Sequence, residues 1–407
     1  MPMRRKAVQA RLVWVAAALA AAPVLADESA LRINQIQVIG THNSYALPPD
    51  PRALDLMAPR VDALFEAMRE RMTPAMRASF EEEHPNRVEG GIRASLDYIH
   101  PPIEAQLRAG ARSLELDLFP DPEGGLYADP LPYRELRARG VKDLAPFHGA
   151  ELREPGLKVF HMADVDFRSS CPRFRDCLRI LRAWSDANPG HAPLFILLEP
   201  KWGGLDQAIP GAAKVAPWDA AAFAEVDRSI LEIIGRDRLV TPDDVRGRHR
   251  TLEAAARAGA WPRLAEARGR MLFLFIVPGR NFEAFRPYFA GAPSLEGRVA
   301  FVQGEPGMAH AAFVMVDNAL ARPGRIGELV RQGYLVRSRA DIDTGEVRAN
   351  DTTRRDATIA SGAQIIHTDY LLAPNIFGNG YQVPPFPGGF RCNPVNARCD
   401  VPGDATR

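Results

Sequence analysis

Short apolar runs that alternate with segments of helical period constrain the fold of this chain more than any other feature. The runs are "QIQVIG", "SLELDLF", "LKVFHM", "PLFILLE", "MLFLFIV", "RVAFVQ", "GYLVRSR" and "AQIIHTD". Each is short and rich in branched or aromatic side chains, as strands buried on both faces are. Between several of them lie "IEAQLRAGA", "DAAAFAEVDRSILEIIG", "LEAAARAGAWPRLAEA" and "RIGELVRQG", some closed by a glycine. Eight strands, each followed by helical sequence, predict an α/β fold, a TIM-type (β/α)8 barrel. A doubly wound open sheet is the second architecture that fits the alternation.

The spacing between Gly40 and Ser113 far exceeds what a simple crossover needs. Within it Val61, Leu64, Phe65, Met68 and Met72 share one helical face, which predicts a helical insertion over residues 46–100 beside the barrel mouth. The opening "MRRKAVQARLVWVAAALAAAPVLA" joins a basic start to an apolar stretch from Leu12 and small residues ending at Ala26, the pattern of a secretory signal peptide over residues 1–26. The barrel then spans residues 27–370, and a Pro- and Gly-rich C-terminal extension, with "QVPPFPGGFRCNPVNARCD", fills 371–407. In an exported chain the four cysteines favour two local disulfides, Cys171–Cys177 and Cys392–Cys399, over a zinc site. Neither pair has the two-residue gap of a zinc knuckle.

Charge narrows the function classes. Residues 1–26 hold Arg4, Arg5, Lys6 and Arg11 and no acid, so removing them takes the formal charge from +1 to −3. A mildly acidic protein without a run of Lys and Arg offers no electrostatic footprint for nucleic acid.

A barrel of this kind carries its chemistry where the strands end. The first run delivers His42 and Asn43 at once after Gly40-Thr41. Glu115 and Asp117, two apart in "SLELDLF", point to the same side of their strand. His161 ends "KVFH", Glu199 ends "FILLE", and Lys201 follows two residues on. Asn43, Glu115, Asp117 and Glu199 form an all-oxygen set suited to a hard cation such as calcium, which leaves His42 and His161 for proton transfer. Lys201, Arg337 and Arg339 suit a phosphate. Taken singly, each is more often surface or satisfied core, since Glu-X-Asp and Arg-X-Arg are common on half-exposed strands; the weight lies in their coincidence at strand ends. His84, His100, His148, His191, His249, His310 and His367 read as structural or surface, with His367 and Asp369 in "IIHTDY" placed to line the mouth.

With these motifs laid out, "IGTHNSY", "IEAQLRAGARSLELDLF", "VFHMAD", "FILLEPK" and "GAQIIHTDY" resemble the calcium-dependent, phosphatidylinositol-specific phospholipase C family in its compact secreted bacterial form. The resemblance runs from residue 35 to about 370. It implies a barrel in which Asn43, Glu115, Asp117 and Glu199 bind one Ca2+ and His42 and His161 form the catalytic pair. Lys201, Arg337, Arg339 and Asp369 would face the substrate. The implied reaction cleaves the glycerol–phosphate bond of phosphatidylinositol, met transiently at a membrane surface, to diacylglycerol and a cyclic inositol phosphate. The chain lacks a basic cluster for highly phosphorylated headgroups, which points to the unphosphorylated lipid. Glycerophosphodiester phosphodiesterases share the barrel, two histidines and a Glu-X-Asp pair, but their first motif places arginine after the histidine, where this chain has Asn43. A non-catalytic lipid- or inositol-binding barrel is the reading from another class, and it leaves two retained histidines without a purpose.

Overall fold

The structure, a computed structural model, describes residues 30–85 and 90–397. The expected signal peptide and Cys399 lie outside the described residues. In chain order the strands are β1 (Ile36–Thr41), β2 (Ser113–Phe119), β3 (Lys158–Val159), β4 (Leu194–Pro200), β5 (Met271–Phe275), β6 (Phe301–Val302), β7 (Phe313–Met315), β8 (Leu335–Arg339), β9 (Ile365–Thr368) and β10 (Arg391–Cys392). Eight of them pair side by side in the order β6-β5-β4-β2-β1-β9-β8-β7, all parallel. A parallel bridge from Gln303, just past β6, to Phe313 in β7 joins the two ends of that path into a ring. The TIM-type barrel expected from the alternation is therefore the fold.

The membership of the ring differs from the sequence reading at one strand. "LKVFHM" does not enter it: β3 is two residues long and pairs antiparallel with the far end of β2, Leu118 opposite Val159 and Phe119 opposite Lys158. Its other backbone partners are local, Val159 N donating to the Pro172 carbonyl, and the chain turns back at Met162–Asp166 before a full strand can form. The missing ring strand is β7, within "AHAAFVMVD", whose alanine-rich start masks the apolar run.

Strands β2, β4 and β5 are buried nearly throughout, with Leu114, Leu116 and Leu118 in the main apolar core. The insertion contains α1 (Pro51–Arg71), α2 (Pro74–Glu83) and α3 (Gly91–Ser95), and α4 (Ile103–Ala109) leads into β2. Ala53, Leu54, Met57, Ala58 and Val61 are buried along one face of α1, the spacing that helical packing requires. Asp50 caps α1 ahead of Pro51, and Thr73 caps α2 ahead of Pro74, each proline using the first-turn position where its missing N–H costs nothing. Later come α5 (Leu131–Ala138), α6 (Phe174–Ala187) and α7 (Ala220–Ile233). The Cys171–Cys177 disulfide is formed, at the start of α6. The C-terminal extension runs back along the barrel, where β10 pairs antiparallel with the start of β1, Ile36 opposite Cys392.

Gly40 shows how closely the ring strands approach. A Cβ there would lie 2.4 Å from the Ser113 carbonyl oxygen, so the contact between β1 and β2 admits only glycine.

Candidate active site

His42 and Asn43 follow directly on β1. Asn43 turns the chain with φ of 45°, a left-handed conformation that asparagine tolerates better than most residues. Its buried amide is held at both ends: Nδ2 donates to the Tyr98 hydroxyl at 2.7 Å, and Oδ1 accepts from the Tyr45 hydroxyl at 3.1 Å. Beside it, His42 Nδ1 lies 2.8 Å from Asp369 Oδ1, and Nε2 lies 3.6 Å from Glu115 Oε1. Burial and the Arg339 guanidinium disfavour the charged ring, but the carboxylates of Asp369 and Glu115 outweigh them, so the His42 pKa is raised. His100 donates from Nε2 to the His42 carbonyl at 2.8 Å, and burial pushes its own pKa down to about 4.

Strand alternation sends Ser113, Glu115 and Asp117 to one side of β2. That side is the ring interior, where His367 Nε2 and Nδ1 meet Ser113 Oγ at 2.7 Å and Glu115 Oε2 at 3.0 Å. Arg337 Nη2 adds a second donor to the same Glu115 oxygen at 2.9 Å. Burial opposes ionisation of Glu115, yet His42, Arg337 and His367 hold its pKa well below the usual carboxylate range. Burial likewise keeps His367 neutral, its pKa lowered to about 4. Oε1 of Glu115 faces the cavity side, toward His42.

Parallel register places Asp117 opposite Glu199 at the end of β4. Oxygens of Glu115, Asp117 and Glu199 lie within 4.8 Å of one another. Lys201 Nζ sits 2.7 Å from Asp117 Oδ2 and donates to Glu199 Oε1 at 2.8 Å. Neither Asp117 oxygen has a well-aligned hydrogen-bond donor. Burial, with the charges of Glu199 and Glu115, overcomes the pull of Lys201 and raises the Asp117 pKa to about 7. A buried, under-satisfied carboxylate between two others is a site whose chemistry asks for a cation.

On the opposite arc Arg337 and Arg339 share one face of β8, and Asp369 follows β9. Arg339 donates to Asp369 Oδ2 at 2.7 Å, and Arg337 also pairs with Asp317. Burial disfavours the Asp369 carboxylate, but His42 and Arg339 hold its pKa well below the usual range. His161 lies past β3, its Nδ1 3.1 Å from Asp166 Oδ2.

A cavity of about 480 Å³ opens at this end of the barrel. His42, Glu115, His161, Glu199, Lys201, Arg337, Arg339 and Asp369 all line it, while Asn43 and Asp117 are buried, joined to its wall by Tyr98 and Lys201. The three cations read from sequence as a phosphate cradle are each engaged by carboxylates: Lys201 by Asp117 and Glu199, Arg337 by Glu115 and Asp317, Arg339 by Asp369. Sequence reasoning missed Tyr98, Asp317, Asp343 and the placement of His84, which bonds Asp343 at 3.1 Å. Asp317 was findable, since it ends the apolar run of β7. Tyr98 and Asp343 carry no local signal.

A family model described as phosphoinositide phospholipase C, Ca2+-dependent, matches residues 31–394. Among solved structures, the chain is similar to a calcium-dependent phosphoinositol-specific phospholipase C from a Gram-negative bacterium, Pseudomonas sp, at 12% identity and a TM-score of 0.47, covering 91% of this chain and 99% of that one. It is also similar to a Ca2+-dependent phosphatidylinositol-specific phospholipase C from Streptomyces antibioticus, at 19% identity and a TM-score of 0.46, covering 84% and 95%. No curated protein matches the chain.

Proposed function

Because the chain belongs to the calcium-dependent phosphoinositide phospholipase C family, we propose that the cavity at the barrel mouth cleaves the glycerol–phosphate bond of phosphatidylinositol. The observation that carries the assignment to this cavity is the convergence of Glu115, Asp117 and Glu199 within 4.8 Å on a cavity that His42 and His161 also line. These three carboxylates and Asn43 would hold the calcium ion. When bound, the ion supplies a Lewis acid that acidifies the inositol 2-hydroxyl and offsets charge on the phosphate.

The chain's own groups account for the proton transfers. Of Glu115 and Glu199, which both line the cavity, Glu199 is the better placed base: it is 21% exposed and accepts from Lys201, whereas Glu115 is 1% exposed and accepts from both Arg337 and His367. The proton of the 2-hydroxyl passes to Glu199 as that oxygen attacks phosphorus and the bond to the glycerol oxygen breaks. His42, whose charged form Asp369 and Glu115 favour against burial and Arg339, donates toward the phosphoryl oxygens as their charge grows. His161, oriented by Asp166, protonates the departing glycerol oxygen. The products are diacylglycerol and a 1,2-cyclic inositol phosphate.

The lipid is met at a membrane surface by a chain in which no described helix is long and apolar enough to cross one. Export is supported by the Cys171–Cys177 disulfide, a bond at home in oxidising compartments. Incubation with phosphatidylinositol vesicles, with calcium and then with excess chelator, tests the proposal through the water-soluble phosphorus seen by ³¹P NMR. A calcium-dependent cyclic phosphodiester resonance is expected. Free glycerol phosphate from glycerophosphoinositol, with no reaction on the lipid, would replace this reading by the diesterase one.

A further inference from the structure

Lys201 occupies an unusual place for a substrate-binding cation. Its ammonium bridges Asp117 and Glu199 at 2.7 and 2.8 Å, two of the three carboxylates that converge in the proposed metal site. The third, Glu115, has its own donors in Arg337 and His367. The cluster is thus partly charge-compensated from within, and its least satisfied member, Asp117, is one of the two that Lys201 attends. The root of the residue is fixed, since its N–H donates to the Leu118 carbonyl at 3.0 Å and its carbonyl accepts from Trp218 Nε1 at 3.1 Å. The side chain is not so confined: it lines the cavity, and its flexible four-carbon stem can carry the charge elsewhere while the root stays.

We infer that Lys201 is a tethered counter-ion that holds the calcium position in the metal-free protein and is exchanged out by the ion. An ammonium and a divalent cation a few ångströms apart repel strongly in a partly buried site, so entry of the metal expels the ammonium from Asp117 and Glu199. The charge then lies in the cavity, free to meet the anionic phosphate of a substrate. Calcium binding and phosphate binding become coupled through one side chain. The inference rests on the proposed metal site, and its test separates the two.

Calcium is titrated by calorimetry into the metal-free protein and into the Lys201→Met and Lys201→Arg variants. Removing a competitor that makes one charged hydrogen bond, to Glu199, and one close ion pair, to Asp117, should tighten calcium binding about tenfold or more in Lys201→Met, whereas Lys201→Arg, which keeps a charge, should not gain. Thermal denaturation guards against a folding artefact: Lys201→Met should melt lower than wild type without calcium and gain more from its addition. Equal or weaker calcium binding by Lys201→Met overturns the exchange and leaves the metal site standing. No heat of binding in any of the three proteins overturns both.

Discussion

Asp50 is the residue whose removal should report most directly on how the insertion is seated. Its buried carboxylate caps α1 by accepting from Arg52 N at 2.9 Å and Ala53 N at 3.3 Å, and it reaches across to Ala145 N at 2.7 Å. Burial pushes its pKa up, but hydrogen bonds from Arg52, Ala145 and Ala53 outweigh that and lower it from 3.8 to about 2. Because the folded value is the depressed one, the stabilisation is fully present above the unfolded value and fades as pH falls through the folded one. At roughly 1.4 kcal/mol per tenfold, the gap amounts to about 2 to 3 kcal/mol at pH 7 and about 1 kcal/mol at pH 3. Asp50→Asn is the instructive change: asparagine also caps helices well, so the α1 cap can persist, but the amide nitrogen that replaces Oδ2 leaves the Ala145 N–H without its acceptor, a loss independent of pH that adds to the loss of the charge. Urea unfolding of wild type and variant, followed by circular dichroism at both pH values, should show a deficit about 1 kcal/mol larger at pH 7 than at pH 3. The same deficit at both values would refute the argument, because a lost hydrogen bond without a charge has no reason to depend on pH.

Three further outcomes are expected. Gly40→Ala would force a methyl into the Ser113 carbonyl and should cost about 3 kcal/mol as overpacking; an unchanged melting temperature would mean that β1 and β2 are not so closely joined. His161→Ala should lower turnover of phosphatidylinositol by about 100-fold while calcium affinity, read by calorimetry, stays as in wild type. Glu115→Gln should weaken calcium binding, and an unaltered titration would strike Glu115 from the ligand set.

Much of this was legible because it depends on short-range regularities. Period-two alternation sends Glu115 and Asp117 the same way whatever surrounds them, and the end of an apolar run marks where His42 and Glu199 emerge. Strand membership was less secure: "LKVFHM" has a strand's composition but lacks the chain beyond it to extend the pairing, and "FVM" hides behind alanines. What sequence spacing does not encode is partnership. Tyr98 reaches Asn43 from 55 residues away, and Arg337 reaches Glu115 across 222. The types of those residues suggested a phosphate cradle; only the folded ring reveals that carboxylates already engage each cation.

The ring is sewn unevenly. Between β2 and β4 six residue pairs are in register, whereas β1 meets β2 at Gly40 and Ser113 alone, and β6 and β7 meet through the bridge of Gln303 and Phe313. The strong stretch carries Glu115, Asp117 and Glu199, while Gln303 and Met315, beside the weak joint, face the cavity. The joint of β1 and β2 is drawn tight at Gly40, so the hoop widens first between β6 and β7. The groups that must keep sub-ångström order therefore stand on the stiff side of the hoop, and the slack needed to admit a bulky headgroup lies on the other.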